Sequence, residues 1–444
     1  MLLSDALRSL VTLSGGSSLG RGAAVSLVLA LAACSGSSST DPSATPRDTG
    51  PGGGASEAGA TANDGGAPSS DAAASIDALS PAPPVSPFAA QMPFIKDHGG
   101  GVIAAPKTVI ISFPGDPLAP AYQAFATMLA ASPTWKQTVS EYGVGPLTVV
   151  PPVQLHRSSP TSLTDAEVQS VIETALGNPA NTFPAPDSST VYTLLIPYGV
   201  TETGPQGGTS CGFGGYHRSF TLASGTRIAY AVIAECAQNK ATTRTLAHEL
   251  AEAVTDPFAP DSAAYAGVTP RDLGFVVGTT LGSEVGDMCE TWTPFLMPTG
   301  EKSARVWSNA SAAAGENPCL PIPPEESWFM TLPATAVPDM VGATAPKSGN
   351  PISGNGYKVA QGSSRVIDLG LLGDATTAPW TIDVHEVTPA NVVTFALDKS
   401  TGKAGDHVML TVTAVGDTSV GVPFAVDSTI GAIKHTWLGV IGSP

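Results

Sequence analysis

Charge is scarce in this sequence. Asp, Glu, Lys and Arg make up 13% of 444 residues, and the basic side is the poorer, with 20 Lys and Arg against 37 Asp and Glu. The formal net charge is −17 and no Lys/Arg cluster occurs, which excludes a nucleic-acid partner, because phosphates are held through basic side chains. No glycine-rich phosphate loop and no G-x-S-x-G elbow is present, so nucleotide-dependent and serine-hydrolase chemistry are set aside. C-x-x-C spacing is missing as well, which argues against a four-thiolate zinc site. What the chain does have is Gly (48), Pro (40) and 42% hydrophobic residues. That composition suits a loop-rich globule of two or three domains with β content better than a helical bundle.

The apolar run Ala23–Ala33, preceded by Arg21, is too short to span a bilayer and matches the h-region of a signal peptide covering residues 1–33. It ends in Leu-Ala-Ala-Cys, which resembles a bacterial lipobox, so Cys34 is the expected lipidation site and the membrane a partner through that anchor. Ser35 after the cysteine resembles an outer-membrane sorting signal. The expected location is the bacterial cell envelope, as an outer-membrane lipoprotein or at the cell surface. Residues 34–86 are Ser, Gly, Ala, Pro, Thr and Asp with almost nothing large and apolar, the composition of a disordered tether. The other four cysteines, Cys211, Cys236, Cys289 and Cys319, suit two disulfides in an exported protein. Of three possible pairings the sequential one, Cys211–Cys236 and Cys289–Cys319, is preferred, each closing a loop worth roughly 3–4 kcal/mol.

Residues 87–322 alternate strand and helix signals, the pattern of an α/β (α+β) domain with a central sheet flanked by helices. Lys107–Phe113, Val191–Pro197 and Arg227–Glu235 read as strands, and Leu147–Leu155, broken by Pro151-Pro152, as an edge strand. Helices are expected over Pro120–Ser132, Thr134–Gly143 and Thr164–Leu176, the last opened by a Thr164/Glu167 capping box. Pro321–Ser327 reads as a linker. From about Leu332 to Pro444 only short strands separated by Gly, Asp and Pro turns appear, which predicts an antiparallel, Ig-like β-sandwich.

The chemistry centres on Thr245–Pro257, TLAHELAEAVTDP. Leu246, Ala247, Leu250, Ala251 and Val254 give a helical apolar face, and Asp256-Pro257 ends the helix. His248 and Glu252 lie one turn apart on the same side, about 6 Å along the axis, and both are good Zn²⁺ donors. Glu249 sits where a zinc peptidase keeps its general base. A third ligand is expected from Ser283–Cys289: Glu284, which follows His248 by 36 residues, with Asp287 orienting a histidine. Zn²⁺ is the expected cofactor, and the carboxylate-rich set makes Ca²⁺ the alternative. His217 reads as a loop histidine that could assist as a transition-state donor. His98, His156, His385, His407 and His435 have no paired ligand spacing and read as structural.

The segments AHELAEAVTDP and EVGDMC together resemble the phosphate-induced, EXORDIUM-like family. DHGGGVI around His98, SPTWKQTVSEYGVG, and VYTLLIPYGVT with SCGFGGYH are similar to that family's segments in the same order, over about residues 92–320. Where the family has a Trp between the helix and the acidic motif, this chain has Tyr265. The resemblance implies an extracellular protein with this fold and a shared His/Glu constellation. It does not itself imply hydrolysis. Two functions are therefore expected: a zincin-like, peptidase-like metallohydrolase acting on a peptide, or a non-catalytic surface module whose sandwich binds wall polymer or protein and whose cluster holds a structural metal.

Overall fold

The computed structural model describes residues 87–444, apart from 206, 239, 260, 269–272, 279–283 and 345–348. The expected signal peptide, the tether and Cys34 lie outside the described residues.

The central sheet forms around Lys107–Ser112 and Thr190–Ile196, apolar runs buried on both faces as strands of a covered parallel sheet must be. Its order is Thr148–Val149, Lys107–Ser112, Thr190–Ile196, Arg227–Ala234 and Gly215–Thr221. All neighbours pair in parallel except the last strand, which runs antiparallel along one edge. The Pro151-Pro152 break behaves as expected: the halves on either side of it, Thr148–Val149 and Val153–Gln154, each pair briefly with Lys107–Ser112. Side chains alternate between two cores. Ile110, Val191, Leu195, Ala231 and Ile233 face the helices Ala119–Ala131, Pro133–Val139 and Thr243–Thr255. Val109, Ile111, Leu194, Tyr230 and Val232 face Asp165–Gly177, whose capping box is formed as read.

The C-terminal part is a pair of stacked sheets. One has four strands, ordered Phe329–Pro333, Ser364–Gly373, His407–Ala414 and Val393–Leu397. The other has six and includes Trp380–Glu386, Val422–Ile430 and Ile433–Gly442. Val408, Leu410, Val412 and Ala414 point inward at every second position, as one buried face requires. The sheets meet through Phe395 and Phe424, with ring centroids 5.5 Å apart, and through Ser428, whose hydroxyl donates to Thr331.

The linker expectation needs correcting. Pro321–Ser327 is a packed junction, because the buried Glu326 carboxylate accepts from both Arg305 (2.7 Å) and Asn317 (2.9 Å) and faces His435 at 3.5 Å. His435 in turn stacks on Trp292 and Trp328. Leu273–Gly278 packs on Ile433–Gly442 so closely that a Cβ on Gly274 would lie 2.2 Å from the Leu438 carbonyl oxygen. The described residues fall into one compact unit rather than two independent domains. Both disulfides are formed, Cys211–Cys236 and Cys289–Cys319. Among the described residues no helix is long and apolar enough to cross a membrane.

Candidate metal centre

The helix Thr243–Thr255 matches its expected bounds, and every residue from Leu246 to Thr255 is buried. That is unusual for a helix carrying His248, Glu249 and Glu252, since buried charge must be compensated. Compensation comes from two flanking segments. The edge strand Gly215–Thr221 lies along the helix at a distance that suits glycine, for a Cβ on Gly215 would meet the Thr245 Cγ2 at 2.8 Å and the Glu249 Cγ at 3.1 Å. On the other side passes the segment Glu284–Glu290. It is fixed by the Cys289–Cys319 disulfide, by the Trp307 amide donating to the Val285 carbonyl at 2.8 Å, and by Arg244, which pairs with Glu290 at 2.8 Å.

Glu252 is the hub. Its Oε1 accepts from the Gly286 and Asp287 amides at 3.0 and 3.1 Å. Its Oε2 stands 3.1 Å from His248 Nε2 and 3.6 Å from His217 Nδ1. Glu249 Oε2 is 3.4 Å from His217 Nδ1, and Glu284 Oε1 is 3.4 Å from His217 Nε2. Around His248, Asp287 Oδ1 lies 3.6 Å from Nε2 and Glu290 Oε2 3.5 Å from Nδ1. A Cβ on Gly286 would press on His248 Nδ1 at 2.8 Å and Glu252 Oε1 at 2.9 Å, so the Glu-Val-Gly-Asp turn can close over the helix only with glycine there.

Two sets of donors gather around common points: His217, Glu252 and Glu284, and His248, Glu249 and Glu252, with the ligand atoms of each set within 4.8 Å of one another. Glu284 thus reaches Glu252 as expected, but the imidazole that joins this pair is His217, not His248. Asp287 lies beside His248, its Oδ1 3.6 Å from Nε2. His217 is no loop residue: it is on the edge strand, with its side chain 5% exposed and facing the helix. Its motif hid the strand because the inward positions, His217 and Ser219, are polar; the signal available was the alternation with Tyr216 and Phe220. Glu290 and Asp256, the latter with a buried Oδ2 that has no hydrogen-bond partner, were also missed.

The electrostatics follow from burial. Burial pushes the Glu252 carboxyl up to about 8, against the pull of His248. Burial alone would depress the His217 and His248 imidazoles, yet the surrounding carboxylates outweigh it and raise both well above the ordinary value. Protons or a cation must balance these carboxylates, and the donor set of imidazole nitrogens and carboxylate oxygens suits zinc. The His217 Nε2 adds a buried nitrogen without a hydrogen bond, aimed at the same place.

The other histidines make structural contacts where the structure records them. His98 bonds the Ala266 carbonyl, His407 pairs with Asp368, and His435 bonds the Phe329 carbonyl. His385 lies with the exposed Asp383 and the buried Asp427, where Lys434 already pairs with Asp427 at 3.0 Å.

No family model and no curated protein matches the chain. Among solved structures, domains 4 and 5 of the S-layer protein SbsC are 13% identical, with a TM-score of 0.16, over 33% of this chain and 88% of that one. Chimeric titin Z1Z2 is 13% identical at a TM-score of 0.15, over 20% of this chain and 85% of that one. The titin M10–obscurin-like 1 Ig complex is 11% identical at 0.15, over 27% and 96%. Likeness at these scores carries no argument. The two disulfides are features of proteins outside the cytoplasm.

Proposed function

We propose that this chain is an exported surface protein, lipid-anchored at Cys34, whose α/β part is a zincin-like metallohydrolase of peptidase type and an EXORDIUM-like relative. The observation that carries the reading is the convergence of His217, Glu252 and Glu284 on one point, with Glu249 beside them. These three keep the expected composition of one imidazole and two carboxylates and would hold Zn²⁺. Zinc bound there would supply a Lewis acid for a substrate carbonyl. Glu249, 3.4 Å from His217, is the group that would take a proton from the attacking water and return it to the leaving amine. His248, held between Glu252, Asp287 and Glu290, orients the shared carboxylate. Two anionic ligands leave the zinc less acidic than a two-histidine site would, so turnover should be slow. Glu284, the most exposed ligand at 24%, marks the side open to substrate.

Elemental analysis of the purified full chain, with hydrolysis of a mixed peptide library assayed in parallel, tests this. Bound zinc and turnover are expected, with Glu249→Gln keeping the metal and losing about 10²–10⁴-fold in rate. Zinc with no turnover in the unmodified protein would reduce the centre to a structural cation site on a surface module. No bound metal would remove the reading altogether.

A further inference from the structure

The two donor sets meet at one carboxylate. Glu252 belongs to both, and among the described residues the two imidazoles fall in separate sets. Donors to one zinc ion lie about 2.0–2.2 Å from it, so they can be at most about 4.4 Å apart. With Oε1 fixed by two backbone amides, the Glu252 Oε2 is left between the rings, 3.1 Å from His248 and 3.6 Å from His217. Each ring has a further carboxylate of its own beside it. Glu284 is 3.4 Å from His217, and Asp287 is 3.6 Å from His248.

Charge favours two ions over one. Glu249, Glu252, Glu284 and Asp287 bring four negative charges into a largely buried space, and metal-ligating imidazoles are neutral. One divalent cation offsets half of that charge, and protons would have to meet the rest. A second cancels it, and uncompensated buried charge is among the costliest features a protein can carry.

We propose that the centre takes two divalent cations bridged by Glu252, one on His217 and Glu284 and the other on His248, with Glu249 and Asp287 beside it. This rests on the metal-binding reading above and extends it. Carboxylate-bridged pairs of ions about 3.5–4 Å apart clamp the attacking and leaving oxygens of a displacement from both sides, chemistry that a single carboxylate-rich zinc would supply weakly.

The test uses the full chain, stripped with a chelator and titrated with Zn²⁺ and, separately, Mn²⁺. Two zinc ions per chain and a spin-coupled Mn²⁺ resonance signal are expected. His248→Ala should bind one zinc and show an isolated Mn²⁺ signal, and Glu284→Gln should weaken the other ion instead. One zinc per chain in the unmodified protein, with an isolated Mn²⁺ signal, overturns the two-cation proposal and leaves the single-ion hydrolase standing. Two ions retained by His248→Ala overturn the assignment of the second ion to His248. No zinc at all overturns both readings. Should His248→Ala fail to fold, the unmodified protein's stoichiometry and spin coupling still decide.

Discussion

Gly286 shows how one absent methyl can shape a candidate site. Its hydrogen occupies the space where a Cβ would meet His248 and Glu252 at under 3 Å, and the Gly286 amide itself donates to that Glu252 oxygen. Gly286→Ala should therefore cost about 1–3 kcal/mol, as overpacking does, and lower zinc content, which thermal denaturation and elemental analysis would show. A second residue-scale expectation concerns Glu202, on the far side of the edge strand. Burial pushes its carboxyl from 4.5 up to about 7, Asp165 adds to this, and the Tyr216 hydroxyl opposes it. The folded state therefore holds the proton more tightly than the unfolded state. The resulting stability is full below about pH 4.5 and is lost as pH rises through about 7, an effect of up to about 3 kcal/mol. Denaturant titrations at pH 5 and pH 8 should show a loss in the unmodified protein that is smaller, by up to about 3 kcal/mol, in Glu202→Gln.

At the scale of elements, what the sequence made legible was whatever local pattern dictates. The helix Thr243–Thr255 was readable from its apolar spacing and from Pro257, and the sandwich strands His407–Ala414 and Trp380–Glu386 from alternation and the turns between them. Elements whose inward face is polar or small were not. Gly215–Thr221 turns His217 and Ser219 toward the helix, and Pro351–Lys358 is built from Gly, Ser and Asn, so neither carries the period-two apolar signal. The site was half legible for the same reason: the i, i+4 pair on the helix is local, whereas the strand that supplies His217 joins it only through tertiary packing. The Glu284–Glu290 segment depends on its crosslink. Replacing Cys289 and Cys319 by Ser opens a loop with a sequence separation of 30, and should cost about 3–4 kcal/mol while weakening zinc binding. Calorimetric zinc titration of the double variant against the unmodified protein measures both parts. Unchanged affinity would mean that the Trp307 and Arg244 contacts alone hold the segment.

For the whole molecule the junction at Glu326 matters most. A Pro-rich stretch suggested a free connector because the partners of Glu326, Arg305 and His435, are remote in sequence. With that carboxylate buried against Arg305 at 2.7 Å and the Trp292–His435–Trp328 stack beside it, the α/β part and the sandwich share one core. Glu326→Ala would strand a buried guanidinium and should cost about 3–5 kcal/mol. Tryptophan fluorescence and far-UV dichroism should follow one coincident unfolding transition in the unmodified protein. Two separated transitions would show that the halves fold independently.

The positions of the two crosslinks set an order of events. Cys211 lies six positions before His217 and Cys289 five after Glu284, so each bond tethers a segment that the helix cannot recruit by local sequence alone. On the proposed metal reading, a newly made, still reduced chain would be a poor chelator, and oxidation would come first and metallation second. Zinc uptake by reduced protein should accordingly lag until an oxidant is added.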